Sequence, residues 1–251
     1  MLSPNRNTNM NSGIHGTIAS AGSARAAPRS GRSSARWLQL GRLALPGQVW
    51  AMMAAMGELI LLRHGETEWS RRGCHTGRSD VPLTERGEAD AIALAPALAK
   101  RQIVASFTSP AQRARCTAGL AGLAGAEVDP NLQEWDYGGY EGLTTAQIRQ
   151  QRPDWYLWRD GVIPGDHPGE SIEDVGRRAD AVLARVRPLL SGGDVALVSH
   201  AHMLRVLTAR WLGLEPAGGR LFRLETGTLS VLGDEHGQDV MLSWNVSPAS
   251  D

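Results

Sequence analysis

The chain has 251 residues, 42% of them apolar, which fits one large domain with a sizeable core and hardly two. Its formal charge is zero, but residues 1–55 hold six Arg and no Asp, Glu or Lys, leaving 20 basic against 26 acidic residues in 56–251. A body at a formal charge of −6 argues against general nucleic-acid binding, and no run of 18 apolar residues argues for a membrane span.

In chain order, residues 1–55 are rich in Gly, Ser, Asn, Ala and Arg without periodicity. That composition predicts a disordered extension, or a translation start at Met56, in front of a folded domain over 56–251. An Arg-rich, acid-free start also suits an organellar targeting segment, whereas residues 43–56 make a poor secretory signal. Residues 59–62 form a short unbroken apolar run, as in a strand buried on both faces. After a polar loop, residues 82–100 read as a helix capped by Thr84, despite Pro96. Residues 103–107 read as a strand, and 109–123 as a helix with Ser109 at its cap and Pro110 at its first position.

Residues 130–142, PNLQEWDYGGYEG, are a Gly-rich loop carrying aromatic and acidic groups. Helices are expected at 144–151 and 171–190, a second buried strand at 194–200, a helix at 201–214, and strands at 222–235 and 240–245. This alternation predicts a single-domain three-layer α/β/α sandwich around a mostly parallel sheet. Two strands then end in histidine, His64 and His200, at the carboxyl edge where open α/β sheets place ligands. Cys74 and Cys116 read as reduced thiols of a cytoplasmic protein.

Singly, each polar residue at these ends has an ordinary reading: a packed histidine, a surface cation, a solvated carboxylate. Together, Arg63, His64, Arg113 and His200 form a cluster that repels itself unless an anion fills it. A phosphoryl group suits it, because guanidinium forks bind two of its oxygens.

The segment LLRHGETEW resembles the signature of the histidine phosphatase superfamily, which includes phosphoglycerate mutases and many phosphomonoesterases. In order, HTGRSDVPLTERG, FTSPAQRARCTA, LQEWDYGGYEGLTT, HPGESIEDVGRRAD and VSHAHMLRVL extend the likeness over residues 58–244. It is nearest the acid phosphatase and sedoheptulose-bisphosphatase-like branches. The resemblance implies a phosphoglycerate mutase-like fold and hydrolysis of small phosphomonoesters, sugar phosphates among them, through a phosphohistidine, without metal or cofactor. It implies His64 as nucleophile, Arg63, Arg113 and His200 as phosphoryl clamps, and Glu134 as proton donor to the leaving alkoxide. Thr76 and Gly77 match a loop that touches phosphate or substrate. Ser70 stands where many relatives carry asparagine, and Ala201 where they carry glycine. His202 and Arg205 are further candidates for a sugar hydroxyl or a second phosphate.

Three rivals remain at this level. A mutase would use the same residues, although Asp160 follows Glu134 by only 26 positions, which suggests an open site reached by water. A metal site built on RHGE and HAH would set a cation beside Arg63 and Arg113. A catalytically dead relative would act through protein contacts. The expected partners are a small phosphorylated substrate and at most a second copy, the chain being a monomer or homodimer.

Overall fold

A computed structural model describes residues 56–248; the extension expected over 1–55 lies outside the described residues. Six strands form one sheet: β1 (Leu59–Arg63), β2 (Ile103–Thr108), β3 (Glu127–Val128), β4 (Asp194–Ser199), β5 (Leu229–Glu235) and β6 (Gln238–Val246). Their order is β3-β2-β4-β1-β5-β6. The first four are mutually parallel, and β5 runs antiparallel to both of its neighbours. Seven α-helices accompany them among the described residues: α1 (Glu68–Arg72), α2 (Glu85–Leu98), α3 (Gln112–Leu120), α4 (Thr145–Gln151), α5 (Leu157–Asp160), α6 (Ile172–Val186) and α7 (Ala201–Trp211).

The unbroken apolar runs follow from a sheet covered on both faces. Leu59, Leu61, Val195 and Leu197 point to one side, into a core with Val175, Ala179 and Val182 of α6 and Met203, Leu204 and Leu207 of α7. Their neighbours Ile60, Leu62, Ala196 and Val198 point to the other, against Leu94 and Leu98 of α2 and Ala114 and Ala118 of α3. Each fully buried Leu or Ile contributes roughly 1.5–3 kcal/mol, so alternate burial fixes the register of both central strands. α2, the second helix after β1, lies on one face and α7, which follows β4, on the other. Between these adjacent parallel strands the carboxyl edge therefore opens into a crevice.

Several elements depart from the sequence expectation. Only the second half of 222–235 is strand, because Phe222–Thr228 leaves the sheet: the Arg63 guanidinium donates to the Leu224 carbonyl, and Trp244 Nε1 to that of Arg223 at 2.6 Å. α3 starts at Gln112 after Ala111, two residues later than a Ser109 cap would start it; the Ser109 hydroxyl accepts both from the Ala111 N–H at 3.3 Å and from His200 at 2.7 Å. The 171–190 helix ends at Val186 and tightens into a 3-10 turn over Arg187–Ser191, where Pro188 has no N–H to donate. The polar loop after β1 contains α1, held by a reciprocal Thr67–Ser70 capping box. No helix among the described residues is long and apolar enough to cross a membrane.

The expected Thr84 cap is present, accepting from the Gly87 N–H at 3.1 Å. It brings the first turn of α2 against the turn that follows β1. A Cβ on Gly87 would lie 2.2 Å from the Glu66 carbonyl oxygen. Gly87→Ala would ordinarily favour a helix by about 1 kcal/mol. Here backbone overlap should reverse the sign and cost about 1–3 kcal/mol, read as a lower Tm in thermal denaturation; an unchanged or higher Tm would contradict this packing.

Candidate active site

Strand register delivers the central groups. Arg63 pairs with Ser199 at the ends of β1 and β4, and Thr108 of β2 pairs with Val198. The ladder continues one residue further, with the His64 N–H donating to Ser199 O at 3.0 Å and the Ser109 N–H to Val198 O at 2.9 Å. His64, His200 and Ser109 are thus set side by side at three strand ends. The two imidazole rings meet edge to face with centroids 5.1 Å apart.

Their tautomers follow from their partners. His64 Nδ1 lies 2.7 Å from the Gly65 carbonyl, an acceptor only, so Nδ1 carries the hydrogen. Nε2 makes no hydrogen bond within the protein, and the ring is on the cleft wall. Burial, with repulsion from Arg113 and Arg63, holds this imidazole well below the usual histidine range, so it is neutral at neutral pH. At His200 the arrangement is inverted. Arg113 Nε donates to His200 Nδ1 at 3.3 Å, so Nε2 bears the hydrogen and donates to Ser109 Oγ at 2.7 Å. Burial first, then Arg113, keeps His200 neutral as well.

Arg113 is 0% exposed and is held from all sides by acceptors. It donates to the carbonyls of Ser79 (2.8 Å), Thr76 (3.1 Å) and Gly77 (3.2 Å) besides the imidazole. Arg63 is different. One of its terminal nitrogens bonds the Leu224 carbonyl, while its buried Nε has no partner, alone among the buried side-chain nitrogens and oxygens of the described residues. An unmet donor on a buried cation suits a bound anion, whose electrophilic centre a free imidazole lone pair could attack.

Glu134 reaches the site from the loop before α4. Its Oε1 accepts from the Trp135 and Met203 N–H groups, both at 2.9 Å, and its Oε2 from the His202 N–H at 3.1 Å. It therefore caps the first turn of α7. Arg178 of α6 braces this loop, donating to the carbonyls of Asn131 and Gln133 and to both oxygens of Glu170.

A cleft of about 430 Å³ opens over these groups. Arg63, His64, Ser70, Thr76, Glu134, Ala201, His202 and Arg205 line it. Arg113 and His200 lie beneath its wall. Gly77 is turned away: its N–H donates to both Glu141 oxygens at 3.0 Å, so the phosphate contact expected of it is already filled by a carboxylate. The Ser70 hydroxyl is engaged with Thr67, and that of Thr76 with the Cys74 carbonyl. Among the described residues, no group of three or more His, Cys, Asp or Glu is placed to hold a metal ion.

The sequence reading passed over His75, Tyr137 and Arg178. His75 donates from Nδ1 to the Leu143 carbonyl and packs edge to face on Tyr137, whose hydroxyl lies 2.6 Å from His202 Nδ1. The local signals were slight: His75 adjoins Thr76, Tyr137 lies three residues past Glu134, and Arg178 falls in the HPGESIEDVGRRAD segment.

Residues 59–247 match the model of the histidine phosphatase superfamily (branch 1). An acid phosphatase of Mycobacterium tuberculosis is 43% identical over 181 residues, covering 71% of this chain and 87% of the relative. A sedoheptulose 1,7-bisphosphatase of Saccharomyces cerevisiae is 33% identical over 187 residues, covering 62% and 67%. The solved structure of the Rv3214 product of Mycobacterium tuberculosis superposes with a TM-score of 0.72 at 40% identity, covering 77% of this chain and 99% of that one. A family match over three quarters of the chain, on a fold with two strand-end histidines, places this protein in the histidine phosphatase superfamily.

Proposed function

We propose that the chain is a phosphomonoesterase that hydrolyses small phosphorylated metabolites, sugar phosphates among them, through a phosphohistidine at His64. The observation that carries this reading is that two consecutive cleft-lining residues each keep an unmet group: the Nε2 lone pair of a neutral His64 and the buried Nε–H of Arg63. Relatives named acid phosphatase and sedoheptulose 1,7-bisphosphatase support it.

In this reading His64 Nε2 attacks phosphorus in line and the P–O bond to the alcohol breaks. Arg63 donates to a phosphoryl oxygen through Nε. Arg113 and His200 lie behind the nucleophile. They place a buried positive charge opposite the developing negative charge, and contact oxygens directly only by exchanging a carbonyl or Ser109 bond for one to phosphate. Glu134, on the cleft wall, gives a proton to the leaving alkoxide and takes one from the water that hydrolyses the phosphoenzyme. We also place the enzyme in the cytoplasm, a reading supported by its unpaired thiols, Cys74 and Cys116.

Phosphate release from sugar phosphates, 3-phosphoglycerate and an aryl phosphate, in the presence of a chelator, tests the assignment. His64→Ala should abolish turnover; a fully active variant would remove the mechanism. Glu134→Gln should slow sugar phosphates by about 10²–10⁴-fold and the aryl phosphate far less, since a phenolate leaves without protonation. Equal losses on both would assign Glu134 a structural role. Interconversion of 2- and 3-phosphoglycerate far faster than phosphate release would make the enzyme a mutase. The free enzyme loses its nucleophile only when His64 gains a proton, and that pKa is depressed by burial. The acid limb of kcat/KM should therefore fall below pH ~6.5, the ordinary histidine value, and activity should persist in mild acid. A limb at or above that value would contradict a buried, neutral His64.

A further inference from the structure

At the end of the sheet opposite the catalytic cleft, the edge of β2 is half open. On one side β4 pairs with it from Ile103 to Thr108. On the other, β3 pairs only with Phe107 and Thr108. Among the described residues, Ile103–Ser106 therefore meet no strand on their outer edge. Unpaired N–H and C=O groups on such an edge are a ready template for a further strand.

This edge borders a groove of about 540 Å³. Ala95 and Leu98 of α2 form one wall, and Ala121 and Leu123, just past α3, form the other. Val104 lines the groove and is 47% exposed, a large apolar side chain left facing solvent. Arg101 is the one charged residue on the lining, and Glu58 and Asp194 already pair with it. The groove therefore suits an uncharged, apolar, extended segment.

The chain itself arrives at this place. Gly57 packs so closely on Gly193 that a Cβ would lie 2.0 Å from the Gly193 carbonyl oxygen. Gly193 in turn abuts β2: a Cβ there would meet Val104 Cγ1 at 2.7 Å and the Gln102 carbonyl oxygen at 2.8 Å. Residues 46–55, outside the described residues, therefore join the domain beside the groove. They read PGQVWAMMAA, without a charge, whereas all six Arg of the extension fall within 1–45.

Reach and direction agree. A strand added to β2 lies three strand spacings from β1, about 14 Å, and residues 52–56 span about 16 Å when extended. Because β1 and β2 both run parallel to β4, a segment that crosses over to the start of β1 runs antiparallel to β2. The four residues before that crossover, 48–51, include Val49 and Trp50, both good strand formers.

We infer that residues 48–51, QVWA, add to the outer edge of β2 as an antiparallel strand, with Trp50 in the groove beside α2. The last residues of the extension then fasten it to its own domain and cover an edge open to other chains. The inference is independent of the reaction at phosphorus.

Hydrogen–deuterium exchange on the full chain tests it. Peptides covering 48–51 should exchange about tenfold or more slowly than those from 1–45. Trp50→Asp should speed exchange at 103–106 by a similar factor, and Val104→Lys should speed it at 48–51. Both variants should leave exchange in β1 and β4 unchanged, which separates release of the strand from loosening of the domain. Residues 48–51 exchanging as fast as 1–45, or a Trp50→Asp variant with unchanged exchange at 103–106, would overturn the inference. Protection that rises with protein concentration, in a dimer that Trp50→Asp dissociates in sedimentation, would assign the strand to a second copy and overturn attachment within one chain.

Discussion

One hydrogen bond, from the Nδ1–H of His64 to the carbonyl oxygen of Gly65, decides which nitrogen of a buried imidazole faces the cleft. The surrounding structure holds that carbonyl still. The Gly65 N–H donates to Thr117 Oγ1 at 3.0 Å, and the Thr117 hydroxyl donates in turn to the Arg113 carbonyl at 2.7 Å. The same glycine meets Gly87 so closely that a Cβ would lie 2.2 Å from the Gly87 carbonyl oxygen. Two helices that pack on one face of the sheet therefore aim a nucleophile on its edge. Core packing and tautomer are one constraint here.

The charge arrangement follows the same economy of partners. Arg113 is buried tolerably because carbonyls and a neutral His200 accept its hydrogens. His200 can accept only because Ser109 takes its other hydrogen. Arg63 keeps a buried donor unmade, a defect of roughly 1–3 kcal/mol that an anion would repair. Sites built for function commonly carry such local instability, offset by the rest of the fold. Here the offset lies in the two cores that cover both faces of the central strands.

Much of this was legible in the sequence, and the reasons differ by element. β1 and β4 announced themselves as short apolar runs because both faces of each are buried. The Thr84 cap was readable because capping is local, complete within three residues. The family motif named Arg63, His64, Glu134 and His200, and strand pairing brings the histidines together. Long-range partners were not legible. Nothing near Ser109 shows that its hydroxyl, besides accepting from the Ala111 N–H, serves an imidazole 91 positions away. Gly77 looked like a phosphate ligand, but Glu141, in another loop 64 positions on, fills its N–H. Residues 222–228 carry strand-like residues, yet their carbonyls serve Arg63 and Trp244.

The central claim is that the backbone selects Nε2 of His64 as the atom that takes the phosphoryl group. Stopping turnover of a good substrate with alkali, which preserves phosphohistidine, and locating the modification by peptide mass spectrometry with phosphorus NMR tests it most directly. The account predicts phosphate on Nε2 of His64 during turnover. Phosphate on Nδ1, or on His200, would contradict it.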